Sequence, residues 1–263
     1  MNGPKLEVRN VSKSFQGPTG TPMPVVNDLS LAVAALEFVA LLGPSGCGKS
    51  TLLRIIDGLT PADSGSVWLD GADVTGMPGR GRGMVFQTFD LLPWRTALEN
   101  VEFGLEVQGM ATAERRRVAQ AYVELVGLSG FEQAYPHQLS GGMQQRIGIA
   151  RAFAIRPEVL LMDEPFGALD VQTRDIMQEE LLQIWDRERK TVLFVTHGIE
   201  EALYLADRII VFSPRPARIV REFAVPFARP RPEALKADAT FQQLRREIWD
   251  ILKQNTGRKE PHE

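Results

Sequence analysis

The sequence predicts a doubly wound α/β fold around a parallel sheet, and three observations predict it. Short, wholly apolar runs such as Val159-Leu160-Leu161-Met162 and Val192-Leu193-Phe194-Val195 read as strands buried on both faces. A helical pattern separates them, with Met177, Leu181, Ile184 and Trp185 on one face. The stretch Gly43-Pro44-Ser45-Gly46-Cys47-Gly48-Lys49-Ser50 lies between the apolar run Phe38-Val39-Ala40-Leu41-Leu42 and a helical segment from Ser50 to Ile56. Strand, glycine loop and helix, in that order, form the setting of a phosphate-binding loop.

The remaining elements follow in chain order. Residues 5–42 look like short strands, with Leu6 to Val11 alternating. Residues 16–24 hold Pro18, Pro22, Pro24, Gly17 and Gly20, and are predicted as a loop. Val67-Trp68-Leu69 and Met84-Val85-Phe86 are strand candidates, and Asp70-Gly71 is a turn signal. From Arg95 to Ala154 the pattern turns helical, with Val118, Ala119, Tyr122, Val123 and Val126 on one face of a helix. Ala224 to Pro232, with Pro226, Pro230 and Pro232, reads as a linker. Thr240-Phe241-Gln242-Gln243 then reads as the capping box of a last amphipathic helix, whose apolar face is Phe241, Leu244, Ile248, Ile251 and Leu252.

Composition narrows the function classes. The chain has 263 residues, 44% apolar and 24% charged, and suits one large domain with a small appendage. Lys and Arg number 30 against 33 Asp and Glu, a net charge of −3 that argues against a dedicated nucleic-acid binder. Cys47 is the single cysteine, so an intrachain disulfide is excluded and a reducing cytosol fits. Met1 to Glu7 is followed by no apolar core of a signal peptide. The longest apolar stretch, Leu29 to Leu42, is broken by Ser30 and Glu37 and is too short to span a bilayer. A soluble chain is expected, with any membrane connection made through a partner.

The glycine loop can turn successive backbone N–H groups toward one anion, while Lys49 adds a point charge for the β- and γ-phosphates. The Ser50 hydroxyl can ligate Mg²⁺. Cys47, beside these donors and a helix N-terminus, is expected to be reactive and shielded by nucleotide. In Leu139-Ser140-Gly141-Gly142-Met143-Gln144-Gln145-Arg146, Ser140 is a good helix N-cap and two glycines allow close backbone approach to a ligand. Taken alone, that stretch is equally a capped helix with no ligand. The strand Val159 to Met162 ends in Asp163-Glu164, which places two acids at the carboxyl end of the sheet. Asp163 suits a Mg²⁺ shell, and Glu164 can orient or deprotonate an attacking water.

Together these stretches resemble the ATP-binding cassette (ABC) family over about residues 5–220. Leu139 to Arg146 is similar to its signature motif, with Met143 before the glutamine. Pro165-Phe166-Gly167-Ala168-Leu169-Asp170 resembles the loop whose aspartate reaches across a dimer interface. Gln87 matches the glutamine that senses Mg²⁺ and γ-phosphate, and His197 matches the switch histidine on the γ-phosphate. Phe15 aligns with the aromatic that stacks on adenine. A lone Gln after a strand, His at a strand end or Phe in a strand is more often structural, and only their order along the chain raises them.

The resemblance implies a P-loop NTPase core with a parallel sheet, an N-terminal antiparallel β subdomain and an α-helical signature subdomain at about 88–155. The ATPase domain would span 1–223, and 224–263 would be the linker and helix. It implies ATP held by Phe15, Gly43, Pro44, Ser45, Gly46, Cys47, Gly48, Lys49, Ser50, Thr51 and Gln87. Ser50, Gln87 and Asp163 would serve Mg²⁺, and Lys49, Glu164 and His197 would carry hydrolysis. Ser140, Gly141, Gly142 and Asp170 would act across a homodimer. Integral-membrane permease subunits and an extracytoplasmic solute-binding protein are the implied partners, with the chain at the cytoplasmic face of the membrane. The apolar cluster Phe89 to Trp94 is the expected permease contact.

Two positions depart from the family pattern. Leu36-Glu37 stands where Gly-Glu is usual, which questions the local turn, and Gly198 stands where an aspartate usually follows the histidine. Members that act on DNA or ribosomes carry long insertions or a second cassette, and neither is present in this length. A GTP switch protein would carry N-K-x-D, which is absent. An exporter subunit is the alternative within transport. Leu91 to Ala97 and Phe166 to Arg174 resemble the nitrate, sulfonate and taurine importer branch, which implies a small anion as solute.

Overall fold

A computed structural model describes residues 3–17 and 20–256. The chain runs through β1 (Leu6–Gln16), β2 (Pro22–Val33), β3 (Phe38–Leu42), α1 (Lys49–Asp57), β4 (Ser64–Leu69) and β5 (Ala72–Asp73). It continues through β6 (Arg82–Val85), α2 (Ala97–Val107), α3 (Thr112–Leu125), α4 (Gly141–Ala154), β7 (Val159–Asp163) and α5 (Val171–Glu188). It ends with β8 (Thr191–Thr196), α6 (Ile199–Leu205), β9 (Arg208–Phe212), β10 (Ile219–Ala224) and α7 (Ala239–Thr256). These elements form two compact units, Met1–Arg80 with Thr191–Glu263, and Gly81–Lys190.

In the first unit, strands β10-β9-β3-β8 lie side by side, with β3 parallel to both β8 and β9. Every residue of β3 and β8 is buried, as continuous apolar runs require when both faces are covered. A second, antiparallel sheet has the order β2-β1-β4-β5 and contains the Asp70-Gly71 hairpin. The expected loop at 16–24 is shorter than the sequence suggested. Pro22 and Pro24 lie within β2, opposite Gln16 and Ser14. β2 is an edge strand, where a missing N–H costs no ladder bond, so proline is tolerated. Pro18 and Thr19 of that loop, like Met1 and Asn2, lie outside the described residues.

The Leu36 turn keeps its geometry without glycine. Leu36 adopts φ 63° and is 54% exposed, and its N–H donates to the Thr191 hydroxyl at 2.9 Å. Glu37 anchors the turn: its carboxylate accepts from Ala34 N (2.8 Å) and from Arg208 Nε (2.7 Å) and Nη2 (3.1 Å).

The last helix begins earlier than the Thr240 capping box predicts. Asp238 is the cap, accepting from Thr240 N (2.7 Å) and Phe241 N (3.2 Å), while the Gln243 amide turns outward to Glu247 (3.0 Å). A carboxylate is at least as good a cap as a hydroxyl, and Asp238 precedes the threonine. Phe241 and Ile248 bury the apolar face, and α7 packs against α6. The linker is fastened by buried Arg231, whose Nη1 donates to the carbonyls of Tyr204 (2.9 Å) and Ala206 (2.8 Å) at the end of α6.

In the second unit β6 and β7 pair in parallel, and α2, α3 and α4 pack together. Thr96 and Glu99 form a reciprocal capping box at the start of α2. At Gly104 an added Cβ would fall 2.3 Å from Ile155 Cγ2, so only glycine permits this approach of α2 to the end of α4. Among the described residues, no helix is long and apolar enough to cross a membrane.

Candidate active site

The phosphate loop joins β3 to α1. Gly48 adopts φ 125°, and a Cβ there would meet Val25 O at 2.7 Å, so the backbone itself forms the inner wall. Lys49 is 3% exposed, and its Nζ donates to Gly43 O (2.7 Å) and Pro44 O (3.0 Å). Its acceptors are those two carbonyls, with the Cys47 sulfur at 3.8 Å, and no carboxylate forms an ion pair with the buried ammonium among the described residues. Burying a cation without a counter-charge is costly, and an anionic ligand in the loop would offset that cost. The donor set therefore fits a polyphosphate. Cys47 is 1% exposed, which overturns the expectation of a readily reactive thiol: access, rather than nearby donors, limits its chemistry.

Register aligns the loop with the histidine. Leu42 pairs with Thr196, so Gly43 and His197 leave the carboxyl ends of adjacent parallel strands at one level. His197 is exposed. The aspartate missing at Gly198 is replaced by another arrangement. Gly198 N donates to the Thr196 hydroxyl (2.9 Å), which in turn donates to the Glu201 carboxylate. Glu201 was not identified from the sequence; its place three residues into α6 was the available signal. Phe15, on β1, is 42% exposed and has Lys13 Nζ 5.5 Å from its ring centre, which leaves an aromatic face for a base.

The second unit carries the other motifs. Val85 pairs with Met162, so the chain leaves β6 toward Gln87 and β7 toward Asp163 and Glu164 at matching levels. Asp163 is 2% exposed and Gln87 is exposed. Glu164 adopts φ 43°, a strained conformation for a non-glycine residue, and its carbonyl accepts from Gly167 N at 3.0 Å. Among the described residues, no group of three or more His, Cys, Asp or Glu could hold a metal. The Asp163 carboxylate in this unit and the Ser50 hydroxyl in the first are each hard oxygen donors of the kind that suits Mg²⁺.

Ser140 caps α4 as the sequence predicts, accepting from Met143 N at 3.3 Å. The signature glycines lie against the Asp170 loop: a Cβ on Gly141 would meet Leu169 at 3.8 Å, and one on Gly142 would meet Thr173 at 3.0 Å. Asp170 caps α5, accepting from Thr173 N (3.0 Å) and Thr173 Oγ1 (2.7 Å). Those two bonds hold its exposed carboxyl below the usual aspartate range.

The Phe89 to Trp94 cluster is only partly a surface. Phe89, Leu91 and Leu92 are half-buried, while Trp94 is 71% exposed. Asn100, unrecognised in the sequence, fixes this loop. Its Oδ1 accepts from Leu92 N (2.8 Å), and its Nδ2 donates to the carbonyls of Leu92, Arg95 and Thr96.

Comparison with known proteins fits this geometry. Residues 26–167, more than half of the chain, match the ABC transporter family model. An uncharacterised ABC transporter ATP-binding protein of Methanocaldococcus jannaschii is 51% identical, over 95% of this chain and 91% of its own length. The nitrate import ATP-binding protein of Synechococcus elongatus is 47% identical over 92% of this chain and 89% of its own. The taurine import ATP-binding protein of Rhizobium johnstonii is 47% identical over 94% and 96%. Among solved structures, a dimeric ATP-binding cassette bound to ADP and Pi superposes with a TM-score of 0.73 at 34% identity, covering 85% of this chain and all of that one. The chain belongs to the ABC transporter family and is an ATP-binding ATPase subunit of that family.

Proposed function

We propose that this ATPase drives import of a small anion, of the nitrate, taurine or sulfonate kind, from the cytoplasmic face of the membrane. The catalytic part is carried by the register within each unit, which brings Gly43 and His197 to one level through Leu42 and Thr196, and Gln87 and Glu164 to one level through Val85 and Met162. In this reading the loop Gly43 to Thr51 binds the ATP phosphates and Phe15 stacks on the base. Lys49 and His197 neutralise and orient the γ-phosphate. Glu164 orients the attacking water and takes its proton. Ser50, Gln87 and Asp163 hold Mg²⁺, which when bound would neutralise charge on the β- and γ-phosphates.

The domain reading keeps 1–223 as the ATPase domain, with its helical subdomain at about 88–155 and 224–263 as the appendage. The dimeric relative supports a homodimer, in which the capped start of α4 at Ser140, Gly141 and Gly142, together with Asp170, serves the partner's nucleotide. Trp94, with Phe103 and Val107 exposed on α2, is the surface proposed for the permease subunits. An extracytoplasmic solute-binding protein completes the system.

The solute class rests on relatives rather than on a pocket of this chain. The nitrate and taurine relatives are equally identical to it, so degree of likeness does not choose between these anions, and the proposal leaves that choice to the permease and binding protein. A strain lacking this gene should lose growth on nitrate as sole nitrogen source, or on taurine or an alkanesulfonate as sole sulfur source. Normal growth on all of these, with lost uptake of a sugar or metal, would refute the assignment.

A further inference from the structure

Arg215 belongs to none of the nucleotide motifs, yet it touches the phosphate loop. Its Nε and Nη2 both donate to the Gly46 carbonyl, at 3.1 and 2.7 Å. Its Nη1 lies 3.2 Å from the Met23 sulfur, and Met23 is the cross-strand partner of Phe15. The segment that presents it, 213–218, is firmly held. Ser213 N donates to Arg218 O (2.9 Å), Ser213 Oγ accepts from Arg218 N (3.1 Å), and Ala217 N donates to Val25 O on β2 (2.8 Å). Arg215 is therefore a fixed donor on the outer side of the loop.

The carbonyl and N–H of one trans peptide point in opposite directions. A guanidinium that holds the Gly46 carbonyl outward therefore turns the Cys47 N–H inward. That N–H now makes only a long bond, 3.3 Å to Pro44 O, which a stronger acceptor can replace. Two charge-assisted bonds on the oxygen also polarise the peptide and strengthen its N–H as a donor. Gly46, at φ 72°, supplies the left-handed conformation that this orientation needs.

We propose that Arg215 is a positioning residue for nucleotide binding, presetting the Gly46–Cys47 peptide so that its N–H meets a phosphate oxygen. The inference rests on the loop binding ATP phosphates. Arg215 reaches the loop only through the outward-facing Gly46 carbonyl, so it acts on binding and leaves the chemical step alone.

The test measures ATP and ADP affinity of the full-length protein by calorimetry, with steady-state hydrolysis alongside. Arg215→Ala should raise Kd for both nucleotides about fivefold and raise KM to match, with kcat within twofold. The apo midpoint of thermal unfolding should stay within about 2 °C, because the side chain is exposed. Arg215→Lys, which keeps a charged donor, should recover most of the affinity. Unchanged Kd in Arg215→Ala, equal losses in the Lys and Ala variants, or a fall in kcat with unchanged KM would overturn the proposal. Parent protein that fails to bind ATP, or binds no better than Lys49→Ala, would instead overturn the nucleotide reading beneath it.

Discussion

Leu42, the last residue of β3, stands opposite Thr196, the last residue of β8. That pairing brings the phosphate loop and His197 out of the sheet at the same level. The next residue, Gly198, is held by the Thr196 hydroxyl, which is itself held by Glu201.

Restoring aspartate at position 198 should therefore change little. An added Cβ would lie 3.8 Å from a Glu201 carboxylate oxygen, so a second acid meets one already serving this turn. Gly198→Asp should keep turnover within about threefold, whereas His197→Ala should lower it about 100-fold or more. Steady-state phosphate release measures both. A large gain from Gly198→Asp would mean that Glu201 does not replace the missing carboxylate.

Leu36→Gly should stabilise the protein. Leucine at φ 63° carries a left-handed penalty of about 1 kcal/mol, and its exposed side chain gives little packing in return. The midpoint of thermal unfolding should rise by about 2 °C with activity unchanged. A fall would show that the leucine side chain contributes more than the turn costs.

Asn100→Ala should destabilise the second unit by roughly 2 kcal/mol, because it removes the acceptor of the half-buried Leu92 N–H and a side-chain donor from the carbonyls of Leu92, Arg95 and Thr96. Chemical denaturation measures the loss. Faster amide exchange at Leu92 should accompany it, since that N–H loses its acceptor. An unchanged midpoint would show that water replaces the amide at no cost.

Much of this was legible in the sequence, for identifiable reasons. β3, β7 and β8 were readable because strands buried on both faces must be continuously apolar. Ser140 was readable because a hydroxyl before two glycines and a helical pattern has few other uses. The start of β2 was misjudged because proline usually breaks strands, and only the sheet order shows that Pro22 and Pro24 lie on an edge. The α7 cap was misplaced because Asp238 and Thr240 both satisfy local capping rules, and backbone geometry chose the acid. Glu201, Asn100 and Arg215 act through contacts with backbone or neighbouring hydroxyls, which carry no motif. The burial of Cys47 is likewise tertiary, its sulfur packing so close to Gly43 that a Cβ there would lie 3.3 Å from it.

The central claim is that Glu164, in its strained position after β7, takes the proton of the attacking water. Phosphate release and size-exclusion chromatography of Glu164→Gln with Mg-ATP test it most directly. The substitution keeps the size and polarity of the side chain and removes its basicity. The account expects retained ATP binding, turnover reduced about 100-fold or more, and accumulation of an ATP-bound dimer. A Gln variant that remains monomeric and turns over at the parent rate would contradict it.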